Sequence, residues 1–158
     1  MSYAIRPATR GDIETLVAFT LQEALDAEGR RLDEGAARRD VEGGFADPPQ
    51  ARYWLADAPD GSAAASTSIV TEWSNFNGGC YWWVQSLYVV PEHRGTGLVE
   101  RLLDHLAETA ARDGALELRL YAHRENARAL RVYRRYGFDE SPYTIMTRAT
   151  ARPAPTEP

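Results

Sequence analysis

A glycine-rich turn stands between a predicted strand and a predicted helix, and it is the part of this chain best suited to binding a small anion. The turn reads Arg94-Gly95-Thr96-Gly97. Two glycines one residue apart allow a tight bend, so consecutive N–H groups can converge beside the positive end of the following helix. The pattern predicts a cradle for a diphosphate, and a plain connection between strand and helix is the alternative.

Two better-known phosphate-binding turns are excluded by single residue types. A dinucleotide-binding fingerprint would need a third glycine where Glu100 stands, and a P-loop would need a lysine, whereas all 18 basic residues of this chain are arginine. The arginine bias is explained either by the composition of the source genome or by phosphate binding. Arginine binds phosphate through two donors and cannot act as a titrating base.

The elements on both sides of the turn are predicted to hold it in place. Residues 81–90 are an unbroken β-prone run, which Pro91 ends. Residues 97–112 read as a helix that Gly114 ends, with leucines recurring on one face at Leu98, Leu102, Leu103 and Leu106. The turn therefore joins a strand directly to an amphipathic helix.

The periodicity of the remaining chain predicts an α+β fold. The predicted strands are residues 2–7, 52–58, 63–73, 81–90, 116–120, 138–141 and 143–150, and the predicted helices are residues 12–28, 33–45, 97–112 and 126–136. Three strands follow one another without an intervening helix. The sequence therefore predicts a mixed, mainly antiparallel sheet of six to seven strands flanked by about four helices.

Length and composition restrict the class of protein. The 158 residues fit a single domain over residues 1–150, followed by a disordered tail over residues 151–158. With 44% apolar and 26% charged residues, no membrane span and no apolar leader near the N-terminus, a cytoplasmic protein is expected. The net charge of -5 argues against a nucleic-acid partner.

Cysteine and histidine usage argues against a disulfide and a metal site. Cys80 is the single cysteine, so no intrachain disulfide can form and no zinc site with several thiolates is possible. The three histidines, His93, His105 and His123, are scattered along the chain. No metal is predicted.

Two separated segments together resemble the GNAT superfamily of acetyl-CoA-dependent N-acetyltransferases. The first is LYVVPEHRGTGL with its helix, which matches the family's turn motif except that Val99 stands where a small residue is usual. The second runs from Asn126 through Ala129 and Tyr133 to Gly137-Phe138. The resemblance implies a three-layer α/β/α domain whose sheet is splayed at the site of acetyl-CoA.

The resemblance also implies which residues bind coenzyme A. The backbone amides of the turn and first helical residues would bind its pyrophosphate, namely Arg94, Gly95, Thr96, Gly97, Leu98 and Val99. The strand residues Leu87, Tyr88 and Val89 would lie along the pantetheine arm, together with Asn126. Any residue other than proline supplies the required amide, so Val99 is compatible with this role.

Acetyl transfer to an amine needs an acid for the leaving thiolate and a base for the amine. Tyr133 matches the family's proton donor and would also bind near the cofactor, while a core tyrosine on an amphipathic helix is the alternative. Where many relatives carry a glutamate, this chain has Gln85 and Ser86. We therefore predict Glu72 as the base, with Glu28 and His123 as weaker candidates.

The sequence defines the site of the acceptor amine less well than the site of acetyl-CoA. Glu28, Trp82 and Ser86 are predicted to contact the substrate, although alternate strand positions allow only one of Trp82 and Trp83 to face a cleft. Acidic and aromatic residues suit a cationic small-molecule amine, and a protein N-terminus or lysine stays open. Direct transfer in a ternary complex is expected, because Cys80 lies away from the matched positions.

A second class of function stays open at this point. The missing strand glutamate and Val99 would also fit a non-catalytic acyl-CoA-binding or regulatory module with the same fold. The sequence also leaves a homodimer open.

Overall fold

The computed structural model describes residues 2–150, and the predicted tail over residues 151–158 lies outside this range. The chain divides into two compact units, Met1–His123 and Arg124–Pro158. The prediction of a single domain over residues 1–150 stays a prediction. No helix within residues 2–150 combines the length and apolar character that crossing a membrane requires.

The first unit contains a five-stranded sheet in which the strands follow their sequence order. Its strands are β1 (Ala4–Pro7), β2 (Arg52–Asp57), β3 (Ala63–Ser74), β4 (Gly79–Val89) and β5 (Leu118–Leu120). The first four pair antiparallel, and β5 pairs parallel with β4. The prediction of a mixed, mainly antiparallel sheet is confirmed, because hairpins join β2 to β3 and β3 to β4, whereas a helix separates β4 from β5.

Helices cover both faces of this sheet, which gives the first unit three layers. The helices are α1 (Ile13–Glu28), α2 (Glu34–Gly44) and α3 (Leu98–Arg112). On one face α1 and α2 pack around Leu55, through Leu16, Val17, Ala37 and Val41. On the other face the leucine stripe of α3 packs against β4, with Leu98, Leu102 and Leu106 each at most 2% exposed. The core therefore fixes the start of α3 relative to β4.

β4 changes its register halfway along. Ser86 faces Ser68 of β3, but Val84 faces Ile69, so Gln85 is an extra residue without an opposite partner. This is a β-bulge, and it shifts the alternation of the strand by one residue. Before the bulge Trp82 and Val84 pack toward α3, and after it Leu87 and Val89 do so.

The pairing between β4 and β5 is short. It joins residues 82–84 of β4 to Leu118–Leu120, whereas β4 continues to Val89. The second half of β4 therefore has an edge that β5 does not cover. This gap agrees with the splayed sheet that the resemblance implied.

The second unit contains α4 (Ala127–Arg135), within the predicted helix over residues 126–136. The two strands predicted over residues 138–141 and 143–150 are wrong, because the structure assigns no strand there and the described sheet has five strands. Side chains from residue 139 to residue 150 are exposed, so their alternation buries no apolar face. Pro142 also lacks the N–H that a strand ladder uses.

Candidate active site

The predicted cradle has the backbone geometry that an anion site needs. Gly95 and Gly97 have φ of 77° and 79°, and a Cβ at either position would meet no atom within 4 Å. The first hydrogen bond of α3 runs from the Arg101 N–H to the Gly97 carbonyl at 3.2 Å. The amides of residues 98–100 precede that bond and have no carbonyl four residues back within the helix. The turn therefore presents amides beside open space.

Side chains from distant parts of the chain fix this turn. The Thr96 hydroxyl donates to the His93 carbonyl at 2.7 Å. Just before β1, the Tyr3 hydroxyl lies 3.0 Å from Nδ1 of His93 and 3.3 Å from Oγ1 of Thr96. The predicted cradle residue Thr96 thus also stabilises the loop that carries the amides.

Arg94, the first cradle residue, is held by both the strand and a helix. Its Nε donates to the Val89 carbonyl at 2.9 Å, and Nη2 pairs with Asp26 of α1 at 2.5 Å. The guanidinium lowers the pKa of the Asp26 carboxyl through this hydrogen bond. Arg94 therefore connects the end of β4 to α1, and Asp26 is a site residue that the sequence prediction missed.

Leu98 and Val99 serve the core through their side chains. Leu98 is 2% exposed, and Val99 packs against the same cluster, which also contains Leu102 and Val89. The unusual Val99 therefore packs its half-buried side chain against the core. Its backbone amide still lies in the first turn of α3.

The uncovered edge of β4 carries the amides predicted to bind pantetheine. The Val90 N–H donates to the Ala64 carbonyl of β3 at 3.0 Å. Because successive amides of a strand point to opposite sides, the N–H groups of Val89 and Leu87 point away from β3, toward the side that β5 leaves open. Tyr88 instead packs its ring on Phe19 of α1, with the centroids 5.0 Å apart.

A second carboxylate of α1, Glu23, reaches this edge. Its Oε1 accepts the Leu87 N–H at 3.0 Å. Burial is the main cause that raises the pKa of Glu23, with a smaller contribution from the charge of Glu28, while the bond from Leu87 acts in the opposite direction. Glu23 is the main residue that the sequence prediction missed. Its spacing of three from Asp26, which puts both on one helix face, was the available signal.

The face of the sheet opposite α3 carries an aromatic surface next to acidic residues. Trp83 stacks on Tyr121 with the ring centroids 4.5 Å apart, and the Arg119 guanidinium lies 3.4 Å from the Tyr81 ring centroid. The indole N–H of Trp83 donates to the predicted base Glu72 at 2.5 Å. Glu72 is exposed on β3, so the structure places it at the rim of this surface.

The residues predicted to contact the substrate lie in three different environments. Trp82 is 3% exposed and packs on Trp54 in the core, so the ring on the opposite face belongs to Trp83. Ser86 bonds through its hydroxyl to Ser68 at 2.7 Å. Glu28 is exposed at the last position of α1. Their roles stay predictions, and burial argues against Trp82.

The second unit contains the two remaining predicted residues. The Asn126 side chain accepts the Ala129 N–H at 3.1 Å and so caps the start of α4. Tyr133 is half-buried on α4, with its ring edge-on to Phe138 at 5.9 Å. The roles predicted for Asn126 and Tyr133 in binding and catalysis stay predictions.

The first unit fits a ligand that has a diphosphate and a long arm with amide groups. The open turn at the start of α3 supplies donors for the diphosphate, and the edge of β4 leads directly into that turn. An extended arm could continue the sheet in place of the missing part of β5. Coenzyme A has this chemistry.

Comparison with known proteins supports the same conclusion. The sequence model described as the acetyltransferase (GNAT) family matches residues 17–138, which span most of the chain. The streptothricin acetyltransferase of Streptomyces lavendulae is 29% identical over 159 residues, covering 87% of this chain and 82% of that protein.

Two solved structures have the same fold. A possible acetyltransferase from Clostridium difficile 630 superposes with a TM-score of 0.89 at 24% identity, covering 96% of this chain and all of that one. AAC(6')-Iy, in complex with the bisubstrate analogue CoA-S-monomethyl-acetylneamine, superposes with a TM-score of 0.78 at 20% identity over 96% of this chain and all of that one. At these identities the likeness establishes the fold alone.

Proposed function

This chain belongs to the GNAT family of acetyltransferases and moves an acetyl group from acetyl-CoA to an amine, and we propose that the acceptor is a small molecule with a primary amine. The observation that carries the assignment is the uncovered edge of β4, which leads directly into the positive-φ turn before α3. The five strands pair without either feature. Together they supply the donors that coenzyme A requires.

Different residues of this chain would bind acetyl-CoA and take part in the acetyl transfer. The amides of residues 95–99 would hold the diphosphate, since the Arg94 N–H already donates to the Pro91 carbonyl at 3.3 Å, and the Leu87 and Val89 backbone positions would line the arm. The bound thioester supplies an electrophilic carbonyl carbon. Tyr133 would protonate the leaving thiolate, as its place in the family motif suggests, and the amine would attack directly in a ternary complex.

The proposal of a small acceptor has two supports. The face beside α1 combines the Trp83 and Tyr121 rings with the carboxylates of Glu72 and Glu23, which suits a cationic amine. In addition, two similar proteins have names that refer to small molecules, streptothricin and an acetylated neamine.

Release of coenzyme A tests the proposal directly. Purified protein is incubated with acetyl-CoA and a panel of amines that includes streptothricin, neamine, polyamines and lysine peptides, and free thiol is followed over time. Turnover with a small amine at a higher kcat/KM than with any peptide supports the proposal. Binding of acetyl-CoA by calorimetry without turnover on the whole panel would instead indicate the non-catalytic module.

A further inference from the structure

Glu23 is a half-buried carboxylate that points from α1 to the uncovered edge of β4. Its Oε1 accepts the Leu87 N–H at 3.0 Å. Leu87 lies two residues before Val89, whose carbonyl is held by Arg94 of the cradle. The carboxylate therefore lies beside the strand segment that leads into the diphosphate site.

The position of Glu23 is fixed from two directions. Asp26, one turn further along α1, pairs with Arg94, so the helix is attached to the cradle at one point and to β4 at another. Phe19, one turn earlier, packs on Tyr88. Because three consecutive turns of α1 contact β4 or the cradle, Glu23 is held by a rigid helix and not by a loop.

We propose that Glu23 is the general base of the acetyl transfer, an inference that rests on the proposed function. The amine nitrogen attacks the thioester carbonyl carbon, the N–C bond forms and the C–S bond breaks. The proton lost by the nitrogen goes to Glu23, and the thiolate takes a proton from the acid. Leu87 holds Oε1, and a carboxylate has a second oxygen that can accept the proton.

The surroundings of Glu23 favour this role. Burial raises its pKa, which makes the carboxylate a stronger base than an exposed glutamate, and the charge of Glu28 acts in the same direction. The titratable groups on the packed elements are Tyr88 of β4 and Arg94 of the turn, whose charge is paired with Asp26. On α2, Arg38 pairs with Glu34 of its own helix and with Glu14 in the first turn of α1.

Glu72, the base predicted from the sequence, has the opposite surroundings. It is exposed at the rim, and the Trp83 indole N–H donates to its carboxylate. The two glutamates are therefore a matched pair for one experiment.

The experiment compares Glu23→Gln, Glu72→Gln and the control Glu14→Gln, which removes an exposed carboxylate from the same helix. For Glu23→Gln we expect kcat with a saturating amine to fall at least about 100-fold, with KM for acetyl-CoA within about threefold of wild type. We also expect the acidic limb of the kcat/KM pH profile to disappear. The other two variants should keep that limb.

A thermal melt shows whether Glu23→Gln acts on chemistry or on folding. A carboxylate whose pKa is raised by folding lowers stability as pH rises through the unfolded value to the folded one, so neutral glutamine should remove that loss. We therefore expect an equal or higher Tm at pH 8. Should the variant melt early, Glu23→Asp is measured instead, and it should keep the acidic limb at a reduced kcat.

Each contrary result has a distinct meaning. An unchanged kcat and acidic limb in Glu23→Gln, with active wild-type protein, overturns the base role alone. A raised KM for the amine at constant kcat also overturns it, since that result shows binding only. If wild-type protein acetylates no amine on the panel, the proposed function and the role of Glu23 are both overturned.

Discussion

The proposed donor-binding region and the proposed acceptor-binding region are built from different chemical groups. The donor region, from residue 87 to residue 100, uses backbone amides, two positive-φ glycines and the start of α3. The acceptor region uses side chains of α1, β3, β4 and the segment after β5. A backbone site tolerates changes of side chain, as Val99 illustrates, whereas a side-chain site changes its specificity with single substitutions.

Four substitutions test this difference between the donor region and the acceptor region. The largest effect is expected for Tyr133→Phe, which removes the proposed acid. Tyr133 is among neither the backbone groups of the donor region nor the side chains of the acceptor region. We expect kcat with a saturating amine to fall about 100-fold while both KM values stay near wild type. Steady-state kinetics with Tyr136→Phe as the control measures this, and equal kcat values for the two variants would exclude the acid role.

Gly97→Ala tests whether the donor region depends on backbone geometry. The φ of 79° disfavours any Cβ by about 1–2 kcal/mol, which corresponds to roughly 5–30-fold weaker binding of acetyl-CoA if the turn deforms. Calorimetric titration gives the Kd. The control is Gly43→Ala in α2, where the φ is not positive and a Cβ meets no atom within 4 Å. Equal affinities for both variants would refute a backbone cradle.

Glu72→Gln tests the acceptor region at its rim. Loss of one exposed charge beside Trp83 should raise KM for a cationic amine about 2–5-fold, because exposed charge pairs contribute about 1 kcal/mol or less. KM for acetyl-CoA should not change. Competition kinetics with a neutral amine of similar size shows whether charge is the cause. A change in KM for acetyl-CoA alone would mean that Glu72 belongs to the donor region.

Asp26→Asn is expected to have the smallest effect. It changes a side chain of α1, which belongs to the acceptor region, but its effect should fall on the donor region. It weakens the hold on Arg94, whose pair with Asp26 is partly exposed, so we expect acetyl-CoA affinity to fall about twofold. Glu14→Gln, which breaks an exposed pair on the same helix, is the control and should leave the affinity unchanged. A loss above about tenfold would show that α1 is part of the donor site.

The same contrast explains what could be read from the sequence. The geometry of the turn was predictable because Gly95 and Gly97 lie between a neighbouring strand and a neighbouring helix, so local spacing determines it. The role of the turn in binding stays a prediction. The order β1 to β5 followed from turn residues and periodicity. The family membership then followed from two local motifs.

The acceptor region was not predictable for a physical reason. Glu23 meets Leu87 across 64 positions of sequence, and its spacing from Asp26 on α1 does not show which strand the two carboxylates face. Trp82 and Trp83 alternate, and only the packing of α3 decides which one is buried. The alternation beyond Phe138 suggested two strands, yet in the described residues no apolar face is buried there.

The single unpaired residue Gln85 has a consequence for how this strand can evolve. One half of β4 points its outward amides to β5, and the other half points them to the edge that β5 does not cover, while both halves keep apolar side chains on α3. Deleting Gln85 would leave the Leu87 amide pointing away from β3, but it would remove the bulge and the local bend between the two halves. One inserted residue thus lets a structural strand serve as a binding surface without redesigning the core.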